Sequence, residues 1–151
     1  MECAIATDVC INNQCVSGFG RMYTIRAVSA AFPTSNFNTN PASDWDLGGG
    51  APDPFVCLYL DGSATPVSCS GPPGVPNTFT ATWNRSWDVT VSSTTRVGIT
   101  AWDEDTSTHD RMDGFEYPTG MSVITYARRG GVTGAAYTGD PVNWNVTITP
   151  R

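Results

Sequence analysis

Apolar and polar residues alternate with a period of two through much of the chain. Phe79, Ala81 and Trp83 stand against Thr78, Thr80 and Thr82. Trp87, Val89 and Val91 stand against Ser86, Asp88 and Thr90, and Val97, Ile99 and Ala101 against Arg96, Gly98 and Thr100. Successive side chains of a strand point to opposite faces, so each run predicts a strand with one buried and one solvated face. Tyr23, Ile25 and Ala27 repeat the pattern within residues 21–30, and Trp144, Val146 and Ile148 repeat it near the C-terminal end. Residues 55–60 are almost continuously apolar, which predicts a strand buried on both faces. Residues 115–117 and 122–127 read as two further short strands. The sum is about eight strands with almost no helix signal. The expected fold class is therefore all-β, an eight-stranded antiparallel β-sandwich.

Pro, Gly, Asn and Ser punctuate residues 31–53, 61–77 and 130–141, which are expected to be links. A link as long as 31–53 inside a compact domain points to function. Residues 1–18 show no periodicity and are expected to form a Cys-rich arm or a fragment of a neighbouring module, with the sandwich at 19–151. The disulfide candidates are Cys3, Cys10, Cys15, Cys57 and Cys69. The first three have spacing typical of small extracellular disulfide knots. Cys57 and Cys69 lie on two runs joined by a turn-rich segment and are candidates to bridge; the rest of the connectivity stays open. The odd total leaves one thiol free or paired outside the chain, which leaves a homo-oligomer or polymer open. A secreted chain should lose its initiator Met, so Met1 is expected to be non-native or the chain a fragment.

Composition changes the picture in one respect. The net charge is −6 and every basic residue is arginine. A lysine-free acidic surface argues against nucleic acid as a partner. It argues equally against lysine-dependent docking on anionic membranes. The expected partner is a protein or surface ligand of unknown identity, and the expected localisation is extracellular or at the cell surface.

Acidic residues suit cations, and they concentrate in two stretches. One is Asp44-Trp-Asp46 followed by Leu-Gly-Gly-Gly-Ala-Pro-Asp53; the other runs from Asp103-Glu-Asp105 to Asp110-Arg-Met-Asp113-Gly114. Asp103 and Asp105 are two residues apart as the chain leaves a strand, so their side chains start on one face. Calcium takes about six to eight oxygen ligands at roughly 2.3–2.6 Å. Gathering carboxylates without a cation is repulsive. An EF-hand loop beginning at Asp103 fails, because Thr108 and Gly114 stand where Gly and Glu are required. Zinc is poorly served, with His109 the single histidine and the cysteines distant. The bland alternative is a solvated acidic loop in which Asp serves turns.

These residues also carry a family likeness. Asp46-Leu-Gly-Gly-Gly-Ala-Pro-Asp53-Pro-Phe-Val resembles the C2-domain segment Asp-x-x-Gly-x-Ser-Asp-Pro-Tyr-Val. Thr82-Trp83-Asn84-x-x-Trp87-Asp-Val89 resembles the Trp-Asn-Glu-x-Phe-x-Phe strand pair of that family, and Arg96-Val-Gly-Ile-Thr-Ala-Trp-Asp103-Glu-Asp105 its strand ending in Asp-x-Asp. Asp110-Arg-Met-Asp-Gly114 resembles Asp-Asp-x-Ile-Gly. The pieces cover residues 20–118. The resemblance implies an eight-stranded calcium-binding β-sandwich, with metal ligands Asp46, Asp53, Asp103, Asp105 and Asp110. One strand before the first loop and a full strand at the end imply the permuted strand order of phospholipase-type (type II) C2 domains. There are departures. The first loop has one extra residue, so Asp44 competes as a ligand. Arg111 stands where the family often has its last Asp and is a candidate for an ion pair. Asp113 replaces an apolar residue, and the tip at 106–109 is polar.

The expected function is a calcium-binding C2-like module of an extracellular protein, mediating calcium-dependent binding or calcium-rigidified structure. The alternative is a structural or assembly subunit of a surface layer, filament or adhesin, linked through its Cys-rich arm. Catalysis is not expected, because His109 has no Gly-x-Ser-x-Gly or Cys–His setting. Trp45 is expected to anchor the first loop rather than to bind a ligand.

Overall fold

The computed structural model describes residues 3–39, 41–46, 49–106 and 108–151. Their elements run in the order β1 (Asp8–Ile11), β2 (Gln14–Ser17), β3 (Arg21–Ala31), β4 (Pro54–Leu60), β5 (Ser68–Cys69), β6 (Thr80–Val91), β7 (Val97–Asp103), β8 (Asp110–Tyr117), α1 (Gly120–Ala127), β9 (Gly131–Ala135) and β10 (Asn143–Pro150). Eight strands form two four-stranded antiparallel sheets, ordered β6-β3-β10-β9 and β5-β4-β7-β8. The other two, β1 and β2, pair with each other as a separate hairpin. The all-β sandwich is as expected, with ten strands among the described residues rather than eight. The C-terminal strand β10 lies beside β3, as the permuted order implies.

The period-two pattern explains the core. Tyr23 and Ile25 from β3, Val89 and Val91 from β6, and Val146 and Ile148 from β10 point inward from one sheet. Val56 and Leu58 from β4 and Val97 and Ile99 from β7 meet them from the other. Full burial of such a side chain contributes about 1.5–3 kcal/mol. On β3 the parity changes. Ala27 pairs with Val146 and Ser29 with Asn145, which leaves Val28 as an extra residue. This bulge turns Ala30 inward where simple alternation would face it out. At one end of the sandwich, Trp144 packs its ring against Phe32, Trp83 and Phe115, with centroids 6.4, 6.1 and 5.2 Å away.

Several expectations about elements are corrected. The runs at 78–83 and 86–91 form one strand, β6, because the chain does not turn between them. The link at 61–77 contains the short β5, held to β4. Residues 122–127 belong to a helix, α1, not a strand. The β-branched Val123 and Ile124 suggested a strand, but Gly120, Val123, Ile124 and Ala127 recur at three- and four-residue spacing and bury one helical stripe. Thr119 caps the helix, its Oγ1 accepting from the Ser122 amide at 3.2 Å. The link at 130–141 contains β9, whose glycines hid it from a propensity reading. Within the expected Cys-rich arm, Asp8–Ile11 and Gln14–Ser17 form a hairpin that the absence of periodicity did not suggest. Val9 pairs with Val16 in the β1–β2 hairpin, and Val9 packs into the core. The two-residue turn Asn12-Asn13 has positive φ at both positions, as a type I′ hairpin requires. Finally, β8 begins at Asp110, so the acidic segment is loop only between Asp103 and Asp110.

Disulfides join Cys3 to Cys15 and Cys57 to Cys69, and Cys10 is free and exposed. The second bridge links directly opposed residues of β4 and β5.

Candidate metal centre

The β3–β4 connection and the β7–β8 connection emerge at the same end of the sandwich because β4 and β7 are hydrogen-bonded neighbours. Their register sets Pro54 opposite Asp103. The first connection is long, and its shape comes from internal bonds. Asn36, buried, forms a bridge with Ser43, and its Oδ1 accepts from the Asn38 amide. Trp45 is also buried. Its Nε1 donates to the Pro33 carbonyl at 3.0 Å and its ring stands edge-on to Phe37 at 5.9 Å. Trp45 is thus an anchor that folds the connection back onto the body.

Asp103, the last residue of β7, is the centre of the site. Its side chain is 0% exposed. One oxygen, Oδ1, accepts from the Asp53 amide at 2.7 Å. The other, Oδ2, is buried with no hydrogen-bond partner among the described residues. Burial pushes its carboxyl up to about 6, helped by the charges of Asp46, Asp105 and Asp53 and opposed by the Asp53 amide. Asp46, half-buried, is raised by burial first and then by the charges of Asp53 and Asp105. Asp46, Asp53, Asp103 and Asp105 therefore share one electrostatic neighbourhood drawn from both connections.

The other two candidates differ. Asp44 and Asp110 are exposed and are not among the charges acting on Asp46 or Asp103. Asp110 pairs with Asp103 in the β7–β8 register, one strand away. Arg111 is exposed, and its charge acts on Asp113. Asp113 serves the fold: its Oδ2 accepts from Trp144 Nε1 at 2.8 Å. Burial raises its carboxyl, against that bond and the charge of Arg111. His109 stacks edge-on against Phe55 at 5.1 Å, with Nδ1 3.4 Å from the Asp105 amide. Of the segments singled out in sequence, Leu47, Gly48 and Ser107 lie outside the described residues.

Several supporting residues left no readable signal. Asp53 Oδ1 accepts from the Asn77 amide. Glu104 Oε2 accepts from the Gly74 amide at 2.6 Å, which turns that acid away from the group. A Cβ on Gly74 would lie 1.9 Å from the Asp53 carbonyl oxygen, so only glycine permits this approach. Likewise a Cβ on Gly50 would lie 2.9 Å from Asp46 Oδ2. Asn38 Nδ2 donates at 2.8 Å to the carbonyls of both Arg111 and Met112, tying the first connection to β8. These contacts span long stretches of sequence, so only the Gly and Asn composition of the loops hinted at them.

Among the described residues, no three His, Cys, Asp or Glu side chains stand close enough together to hold an ion as they are placed. The donor chemistry nevertheless fits a hard divalent cation. All four groups offer carboxylate oxygen, and one of those oxygens is buried and unpartnered.

Solved structures share this architecture. The chain superposes on human group IVD cytosolic phospholipase A2 in complex with methyl gamma-linolenyl fluorophosphonate with a TM-score of 0.60 at 16% identity, covering 85% of this chain and 16% of that one. It superposes on the calcium-bound pair of C2 domains, A and B, of extended synaptotagmin 2 with a TM-score of 0.62 at 14% identity, covering 87% and 45%. The first C2 domain, domain A, of plant extended synaptotagmin 1 gives 0.55 at 13% identity, covering 87% and 95%. The chain spans about a sixth of the phospholipase chain and under half of the two-domain synaptotagmin chain. No protein-family model matches it, and no curated protein matches it. At these identities the likeness concerns the fold, and that fold is the C2 β-sandwich.

Proposed function

We propose that this chain is a calcium-binding C2-like module of an extracellular protein, in which the ion orders the two acidic connections. The observation that carries this reading is the buried, unpartnered Oδ2 of Asp103 beside the charges of Asp46, Asp53 and Asp105. A buried carboxylate oxygen with no donor is costly unless a cation or a proton compensates it. Asp46, Asp53, Asp103 and Asp105 would hold the ion, with Asp44 and Asp110 as peripheral contributors. Bound there, calcium would supply positive charge that offsets the mutual repulsion of these carboxylates and would favour an anionic group on a partner. The chain's own part is to hold Asp103 rigidly through the Asp53 amide and to fold the first connection back through Trp45. Two disulfides are compatible with an oxidising, extracellular setting.

The test is thermal unfolding with calcium or chelator. Calcium should raise the melting temperature, and Asp103→Asn combined with Asp105→Asn should abolish the rise. A ligand at about a hundred times its Kd stabilises by about 2.7 kcal/mol. A wild-type melting curve indifferent to calcium would sink the proposal.

A further inference from the structure

The N-terminal hairpin places three cysteines where one disulfide can be exchanged for another. Its two-residue turn, Asn12-Asn13, makes Ile11 and Gln14 the hydrogen-bonded closing pair. Cys10 and Cys15, the next pair, are directly opposed and fall at a non-hydrogen-bonded position. Cα atoms at such a position are about 4.5 Å apart, within the reach of a disulfide. The protein already bridges one directly opposed pair, Cys57 and Cys69. Yet Cys15 is joined to Cys3, and Cys10 carries a thiol.

The three residues also share surroundings. Cys10 and Cys15 are both exposed, on the side of the hairpin opposite Val9, whereas Cys3 is 4% exposed. Cys3 and Cys10 line one cavity of about 710 Å³ together with Asp8, Arg128 and Arg129. Arg128 holds the segment before β1, donating to the carbonyls of Cys3, Ile5 and Ala6 at 2.7, 3.2 and 3.0 Å.

We propose that Cys3, Cys10 and Cys15 form a thiol–disulfide exchange centre. The Cys10 thiol releases its proton to solvent, and its thiolate attacks Sγ of Cys15. The Cys10–Cys15 bond forms, the Cys3–Cys15 bond breaks, and Cys3 leaves as a thiolate that takes a proton back. One disulfide and one thiol are present before and after, so no oxidant or reductant is consumed. Tethering within one short segment makes the attack unimolecular. The exchange moves the free thiol from an exposed position on β1 to a shielded one at Cys3. The Val9–Val16 pair on the inner face needs no rearrangement. The centre thereby sets whether the odd thiol is open to partners.

The intact chain is held without oxygen or added thiol at about pH 8.5, then unfolded in denaturant at about pH 6 with excess N-ethylmaleimide, so that a shielded Cys3 thiol is labelled as readily as an exposed Cys10 thiol. It is then cleaved before Asp8 without reduction. In the isomer described above, the label sits on Cys10 and residues 1–7 remain attached through Cys3. In the exchanged isomer, residues 1–7 are released and carry the label on Cys3. Both products are expected, with the approach to their final ratio about tenfold or more slower at about pH 6 because less thiolate is present. Cys10→Ser should give neither label nor released fragment. Cys3→Ser should close Cys10–Cys15 on mild oxidation and leave no thiol. A label confined to Cys10 in the wild type at every pH, or two persistently reactive thiols in Cys3→Ser, overturns the proposal.

Discussion

Asp103 is the residue on which the site turns. A carboxyl that burial has raised from 3.8 to about 6 binds its proton more tightly folded than unfolded. In chelator, its contribution to stability is therefore fully present below about pH 4 and is lost as pH rises through about 6. The loss amounts to about 3 kcal/mol at most, at 1.36 kcal/mol per unit. Unfolding in denaturant across that window should show this slope in the wild type and a flatter one in Asp103→Asn. An identical slope in both would mean that Asp103 is not the group responsible. Trp45 makes the complementary case. Trp45→Ala removes a buried ring and its bond to Pro33, and it should cost about 3 kcal/mol or more. It should also weaken the calcium response, because the connection carrying Asp46 loses its anchor. Both effects are read from melting curves with calcium and with chelator.

The β3–β4 and β7–β8 connections are tied into the body by bonds that other segments supply. Asn38 reaches β8, Glu104 reaches Gly74, and Asn77 reaches Asp53. Asn38→Ala removes two bonds that each net about 1 kcal/mol, so it should lower the global unfolding free energy by only about 2 kcal/mol. It should nevertheless speed amide exchange in residues 36–46 markedly, which hydrogen-exchange mass spectrometry would report. At the other end, α1 depends on its cap. Thr119→Ala should destabilise the protein by about 1 kcal/mol, measurable by chemical denaturation, with no change in calcium response. The two mutants together separate the loop system from the body of the sandwich.

At the scale of the molecule, two disulfides reinforce the fold, one within the sandwich and one in the N-terminal segment. The Cys57–Cys69 bridge joins β4 to β5 across a sequence separation of 12. Removing it by the double change Cys57→Ser and Cys69→Ser should lower stability by about 2–4 kcal/mol. It should leave the sheet order intact, because β4 stays paired to β7 along its whole length. Far-ultraviolet circular dichroism together with denaturant titration would check both parts. The N-terminal hairpin adds a second cross-linked unit, packed on the body through Val9 and through Arg128.

What could be read from the sequence follows what local chemistry controls. Period-two alternation, as in Trp87, Val89 and Val91, exposes which face is buried regardless of the partner strand. Strands β3, β6, β7 and β10 were legible for that reason and β4 through its apolar run, whereas β5 lay hidden in the expected link at 61–77. The candidate bridging of Cys57 with Cys69 and the acidic character of the two connections were legible from residue type and spacing. Residues 122–127 were misread because β-branched side chains at helical spacing satisfy both templates until a surface exists to bury one stripe. The β9 strand was missed because its glycines hide a pairing that β10 supplies. For the site, the sequence showed two acidic stretches, and the C2 resemblance implied Asp46, Asp53, Asp103, Asp105 and Asp110 as ligands with Asp44 as a competitor. Only tertiary structure decided that Asp103 is sealed with one oxygen unpartnered, that Glu104 turns to Gly74, and that Asp44 and Asp110 stand apart. Burial and hydrogen-bond partners are properties of packed neighbours distant in sequence, and no local pattern encodes them.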